Sequence, residues 1–305
     1  MEKKKLDILL ATYNGSLFLP QQIRSLQNQT FTDWNLLVHD DGSTDGTVEL
    51  IREFAAHDNR ITLIEDGHRL HDAGLNFMHL LQYSDASYAI FCDQDDIWLE
   101  DKLQKMIEVM DQQDSAIPQM VYSNCYVYDY QHDDISGHGI LFQPTSLHDT
   151  LFLNAGIQGC ALMFNAALRE ICKKIPSQVA MHDHVITLAA VSFGHITCIP
   201  ERLMLYRRHS SAVTGHTDKN RMERAKGFFR GKKTVLSLSH FQGVRSFYNT
   251  YYDVIPKESR KVFEDFFQFE HHGRLRNAFH AFCSGYKVLG SRSILFVKLL
   301  IRPLL

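Results

Sequence analysis

Apolar and polar residues alternate in blocks from Asp7 to Met110. Asp7–Thr12 is a nearly continuous apolar run and predicts a buried strand. Leu19, Ile23 and Leu26 share one helical face and predict a helix over 19–27. Trp34–Val38 reads as a second strand, ending at His39-Asp40-Asp41-Gly42. Val48, Ile51 and Phe54 predict a helix over Thr47–Phe54, with Ser43, Thr44 and Asp45 as candidate caps. Ile61–Ile64 predicts a short strand and Leu75–Gln82 a helix. Tyr88–Cys92 reads as a buried strand ending at Asp93, and Asp101–Met110 as a helix. This order predicts an α/β fold: a parallel sheet with helices on both faces.

Beyond Met110 the pattern loosens. Gln119–Tyr128 is strand-like and aromatic-rich, and Gln131–Thr145 is polar and reads as a loop. Cys160–Phe164 predicts a strand after Gly159, Ala166–Lys174 and Asp183–Val191 predict helices, and His195–Ile199 predicts a strand. After Asp218 helix formers dominate, and Pro256 is the one proline between 201 and 302. That region reads as helical.

Composition changes this picture in one respect. With 45% hydrophobic and 22% charged residues over 305 positions, the chain is ordinary globular protein. Its length suggests two domains, or one large α/β domain with an appendage. The net charge of −3 hides a division. Residues 1–218 hold 15 Lys+Arg against 29 Asp+Glu, and residues 219–305 hold 17 against 6. An acidic front suits a bound cation, and a basic back suits an anionic surface. The six cysteines show no CxxC spacing and sit mostly in apolar runs, so a reducing, cytoplasmic compartment is expected. The apolar run at the start is too short for a secretory signal, and no stretch of ~20 apolar residues predicts a membrane span.

In parallel α/β sheets ligands bind beyond the carboxyl ends of strands. Three polar clusters fall there: Ala11-Thr12-Tyr13-Asn14-Gly15, Asp40-Asp41-Gly42-Ser43-Thr44-Asp45-Gly46, and Asp93-Gln94-Asp95-Asp96. Each alone also reads as a turn or a helix cap. Together they bring carboxylates from separate regions to one edge, where mutual repulsion calls for a hard divalent cation, Mg²⁺ or Mn²⁺.

These clusters, with HDH at 182–184 and YRRH at 206–209, resemble the family-2 inverting glycosyltransferases of the GT-A fold, especially the rhamnosyltransferase-like bacterial branch. The resemblance covers roughly residues 5–215 and implies a Rossmann-like mixed sheet. It divides the chain into a catalytic domain, 1–218, and a basic, mostly helical region, 219–305.

The resemblance implies a role for each matching residue. Thr12, Tyr13 and Asn14 would meet the donor nucleotide, with the Tyr13 ring against the base. Asp41, with Asp40, would accept from a pyrimidine N3–H, a charge-assisted bond. Asp93, Asp95 and Asp96 form the DxD-type motif, in which one carboxylate holds ribose and another the metal. The extra Asp permits two alignments, with Asp95 and Asp96 in these roles and Asp93 in support. Asp183 sits where the family places its catalytic base, and His182 replaces the acid usual before it. Gly159, at the end of a small-residue loop from Gly156, would with His182 line the acceptor or sugar site. His209 would complete the metal shell, and Arg207 or Arg208 would offset the charge of the leaving diphosphate. Trp98 reads as core packing.

The function implied is metal-dependent, inverting transfer of a sugar from a nucleotide-diphosphate donor to a hydroxyl of a bacterial surface glycan or lipid-linked precursor. The branch favours dTDP-rhamnose; UDP-galactose, UDP-GlcNAc or another UDP-sugar is the alternative. Tyr286–Leu305 interleaves apolar residues with Lys287, Arg292, Lys298 and Arg302. It reads as an amphipathic helix lying either on the inner membrane face or back on the catalytic domain. A sugar nucleotidyltransferase is disfavoured, because ATYNGS lacks its glycine-rich basic signature. Nucleic-acid binding is not expected of so acidic a front.

Overall fold

The computed structural model describes residues 5–139, 142–154, 157–209 and 234–305. Strand β1 (Leu6–Thr12) is buried along its whole length, so its sequence shows no alternation. Helix α1 (Leu19–Gln27) leads to β2 (Trp34–Asp40), and α2 (Thr47–His57) leads to β3 (Ile61–Leu63). Helix α3 (Ala73–Leu80) then carries the chain back across β1 to β4 (Tyr88–Cys92). These four strands are parallel, in the order β3-β2-β1-β4. The strand order reverses beside β1, which opens the crevice where α/β sheets bind ligands.

After β4 the sheet becomes mixed. The elements are β5 (Ile97–Trp98), α4 (Lys102–Met110), β6 (Gln119–Asp129), β7 (Asp134–His138), β8 (Leu162–Asn165), α5 (Ala166–Cys172), α6 (His182–Phe193) and β9 (His195–Arg208). The order continues β4-β8-β6-β9-β5, with β7 on β6. β8 runs antiparallel to β4 and β6, while β9 runs parallel to β6. The all-parallel reading therefore holds only through β4.

Two expectations are corrected here. Residues 131–145 are not all loop, because β7 pairs with β6 there. The last strand does not stop at Ile199. Ser123 faces Ile199 and Asn124 faces Arg202, so Pro200 and Glu201 form a bulge and the strand resumes to Arg208. A bulge accommodates a proline that a regular ladder would not.

The C-terminal region is α-helical where described: α7 (Leu238–Tyr251), α8 (Lys257–Phe267), α9 (Arg274–Ser284) and α10 (Arg292–Ile301). The helix expected from Tyr286 begins only at Arg292. Gly285 and Gly290 adopt positive φ before it, and the Ser291 hydroxyl caps the Ile294 N–H. These helices are a layer of the sheet's own core. Phe247, Phe263, Phe266, Tyr286 and Leu295 join Leu9, Phe77 and Phe91 in one apolar cluster. The opposite sheet face packs Leu6, Ile8 and Leu10 against α1, α2 and α4. The expected boundary at 218 lies outside the described residues.

Candidate active site

The loop after β1 and the turn after β2 are tied together by acidic side chains. Asp40 receives four donors: the Thr12 hydroxyl at 2.8 Å, the Gly42 and Ser43 N–H groups at 3.0 and 2.8 Å, and the Ser43 hydroxyl at 2.5 Å. A carboxylate has about four lone-pair sites, so Asp40 is filled. Its expected place at the nucleotide base is thereby turned toward the loop itself. Asp41 receives two donors, the N–H groups of Leu70 (2.5 Å) and Asp72 (3.2 Å), and keeps capacity for a third. Asp45 accepts from the Ser16 N–H and the Thr47 hydroxyl. Asn14, at φ +46°, donates its N–H to the Ser43 hydroxyl and accepts from the Thr44 N–H. Its side chain serves the turn. The Tyr13 ring is 57% exposed, while its backbone is held on both sides by the Gln94 amide. Gln94 thus joins the first cluster to the third. It also explains Gly15, where a Cβ would lie 2.2 Å from Gln94 Oε1.

The third cluster is different. Asp95 lies half-buried with Oδ2 2.7 Å from His209 Nε2. Asp93, Asp96 and Cys160 offer ligand atoms all within 4.8 Å of one another. Burial pushes the Asp93 carboxyl up to about 7, and the charge of Asp95 adds to this. Asp96 is fully buried and lies well above the usual carboxylate range, first through burial and then through Asp93. Its Oδ1 accepts the Arg207 N–H at 3.1 Å, so Asp96 faces the protein, whereas Asp95 faces His209.

One cation under this cluster was not legible in the sequence. Lys102 is fully buried, donates to the Cys160 carbonyl at 2.6 Å and sits 3.6 Å above the Trp98 ring. Burial lowers its ammonium to about 8. The available signal was its place on the apolar i, i+4, i+8 row with Met106 and Met110. Trp98 packs in the core, as expected.

Asp183 lies in the first turn of α6. Burial raises its carboxyl to about 7. The Asn154 side chain and the His184 N–H oppose that shift, and the Asp93 charge reinforces it. His182 is buried in an aromatic niche. It is 4% exposed, its ring centre lies 3.9 Å from that of Phe77 and 4.7 Å from that of Phe91, and burial lowers it to about 3. An acid in this aromatic niche would lack any compensating partner. Gly159 is buried too, and a Cβ there would lie 2.1 Å from His182 Nε2. The two residues pack closely against each other. Gly156 lies outside the described residues.

Arg207 lies inside the fold. It is 2% exposed and enclosed by Phe18, Tyr128 and Tyr130, with its centre 4.8–5.4 Å from their rings. It donates to the Asp95 carbonyl and the Gln21 side chain, both at 2.6 Å. It therefore holds the Asp95 carbonyl from the protein side. The cause is β9, which runs through these residues and turns neighbours to opposite faces. Arg208 lies on the other face, where its charge acts on the Cys125 thiol.

The family model for Glycosyl transferase family 2 matches residues 7–175. The dTDP-rhamnosyl transferase RfbG of Shigella flexneri is 28% identical over 229 residues, covering 68% of this chain and 73% of RfbG. The chain spans less than half the length of three further curated bacterial relatives. Staphylococcus aureus TarS 1–349, solved with UDP-GlcNAc, superposes with a TM-score of 0.57 at 13% identity, over 96% of this chain and 89% of that one. The mannosyltransferase PcManGT of Pyrobaculum calidifontis, solved with GDP-Man and Mn²⁺, gives 0.55 at 14% identity, over 93% and 76%. At these identities the structural likeness concerns the fold, which is GT-A.

Proposed function

The chain belongs to glycosyl transferase family 2, and on that premise we propose that it inverts the anomeric centre of a nucleotide-diphosphate sugar while moving the sugar to a hydroxyl of a bacterial surface glycan. The observation that carries this reading is Asp183. Its carboxyl is raised to about 7 at the crevice edge and lies within electrostatic reach of Asp93. A base of that strength is balanced for taking a proton from an acceptor hydroxyl near neutral pH. A single base and in-line attack give inversion.

Asp95 and His209 are the proposed metal ligands. The fit rests on their 2.7 Å approach and on the under-compensated carboxylates beside them, a set suited to Mn²⁺ or Mg²⁺. Such an ion, when bound, offsets the charge of a leaving diphosphate. Asp96 and Arg207 hold the Asp95 segment in place, and Asp93 supports it. The exposed Tyr13 ring offers a stacking face for the base, and Asp41 retains an acceptor site for a base N–H. Thr12 orders the turn by donating to Asp40. Arg208 remains our candidate for the diphosphate.

For the donor we propose dTDP-rhamnose, because the likeness to RfbG extends over 68% of the chain. UDP-sugars are the second reading, favoured by the UDP-GlcNAc complex of TarS. Among the described residues no helix is long and apolar enough to cross a membrane. We propose instead that the protein works in the cytoplasm and docks on the anionic inner leaflet through α9 and α10. Leu275, Phe279, Phe282, Ile294 and Val297 are exposed there, and residues 271–305 contain six Lys+Arg and no Asp or Glu. A lipid-linked acceptor would meet the enzyme at that surface. The deciding experiment mixes the protein and Mn²⁺ with a panel of dTDP-, UDP- and GDP-sugars and reads donor hydrolysis. Turnover of dTDP-rhamnose above all others supports the proposal, and turnover of none overturns it.

A further inference from the structure

A second polar cluster lies at the end of β2, away from the DQDD segment. His39 is the penultimate residue of β2 and is 1% exposed. Asn76 of α3 donates its amide N–H to the His39 carbonyl at 3.4 Å. That turns the amide oxygen toward His39 Nδ1, 2.5 Å away, so Nδ1 carries the hydrogen. The other ring nitrogen, Nε2, then presents a lone pair 3.3 Å from Asp66 Oδ1. His79 Nε2 lies 2.5 Å from the second oxygen of the same carboxylate. His68 Nδ1 is 3.3 Å from Asp66 Oδ1, on an exposed side chain.

Asp66 also accepts the His68 N–H at 2.9 Å and the Tyr83 hydroxyl at 2.6 Å, so the His39 lone pair is the contact that calls for a positive centre between it and the carboxylate. One proton serves one such pair, whereas a divalent ion serves the whole group. The ligand atoms of His39, Asp66 and His79 all lie within 4.8 Å of one another. Tetrahedral zinc with bonds of about 2.0–2.2 Å places its ligands about 3.4 Å apart, so closure needs movements of roughly 1 Å. A buried histidine whose second nitrogen is fixed by an oxygen acceptor is the usual form of a zinc-bound imidazole. Two or three imidazoles with one carboxylate select zinc-like ions over Mg²⁺ or Mn²⁺.

We infer that His39, Asp66 and His79, with His68 as fourth ligand, form a structural zinc-type site distinct from the carboxylates at the end of β4. Its task is to fasten loop 65–72. That loop gives its Leu70 and Asp72 N–H groups to Asp41, and His39 directly precedes Asp40 and Asp41 in the chain. The site thus braces the turn from behind, whatever donor the crevice takes.

The test is Co²⁺ titration of the chelator-stripped, full-length protein, followed by visible spectroscopy and Zn²⁺ competition. A single ion should bind with the intense visible bands of four-coordinate cobalt and be displaced by Zn²⁺. Zn²⁺ at ~100 times its Kd should raise the thermal midpoint by roughly 5 °C. Both signals should disappear in His79→Ala and persist in the Asp93→Asn/Asp95→Asn double variant. His68→Ala, at an exposed position, should keep the fold and weaken Zn²⁺ binding about tenfold or more. If His79→Ala does not fold, His68→Ala decides. The inference is overturned by faint octahedral bands only, by loss of binding in the Asp93/Asp95 variant, or by unchanged Zn²⁺ affinity in His68→Ala.

Discussion

The turn after β2 and the segment after β4 are both runs of aspartates at the same edge of the sheet, yet their carboxylates live in opposite conditions. Asp40 has four donors, two backbone N–H groups and two hydroxyls, and is spent on holding the turn, while Asp41 has two backbone donors and keeps room for another. Asp96 is buried beside a half-buried Asp93 and beside Asp95, with a lowered ammonium, Lys102, underneath. Satisfied acids build a scaffold. Under-compensated acids store a demand for a cation or a proton, which is what a catalytic edge needs. Motif membership does not separate the two kinds; counting donors does.

The most forceful way to break this comparison is Asp183→Asn. It should keep donor binding and lose about 10³-fold or more of kcat, measured by single-turnover transfer; near-normal transfer would remove Asp183 from the role of base. Next, Asp95→Asn and His209→Ala should each raise the Mn²⁺ concentration needed for half-maximal activity by about 10–100-fold, whereas Asp40→Asn should not. A pH profile gives the third test. Asp183 accepts a proton only when ionised, and its carboxyl sits at about 7. Hence kcat/KM should rise about tenfold per pH unit below that point and level off above it.

Stability should separate the two regions by sign. Asp93 binds its proton more tightly folded, at about 7, than in the unfolded chain. Its contribution is therefore full below the ordinary carboxylate range and is lost as pH rises through about 7. At pH 8, without metal, Asp93→Asn should raise the thermal midpoint by a few degrees. Asp40→Asn should lower stability by about 1–3 kcal/mol in urea unfolding, because an amide nitrogen cannot accept the donors that Asp40 collects. Equal signs would end the distinction between scaffold and site. The smallest effect concerns the basic face. Phe279→Ser with Phe282→Ser should reduce retention on anionic vesicles several-fold and leave transfer to a soluble acceptor unchanged.

The first half of the fold was legible because its signals are local. β1, α1 and β4 announce themselves as apolar runs or a helical stripe, and the DDGS and DQDD clusters stand directly after strands. The second half was less legible where a long-range pairing overrides a local stop. Pro200 reads as the end of a strand, but pairing with β6 carries β9 past it to Arg208. That continuation explains why Arg207 and Arg208 part company, and why Arg207 holds Asp95 from inside an aromatic enclosure. The surroundings of His182 are likewise set by long-range packing. Its neighbours Phe77 and Phe91 come from α3 and β4, far away in the chain, and they make the niche apolar.

By itself, the sequence determined that the chain is an α/β protein with acidic clusters at its strand ends and a basic helical region behind, because strand runs, helical stripes and turn chemistry act over a few residues. Only the tertiary structure decided which acids are spent and which remain reactive. It also decided that the basic helices join the core while exposing an apolar face, and that His39, Asp66 and His79 meet. These properties depend on burial and on donors from distant segments, and both arise only when the sheet has assembled.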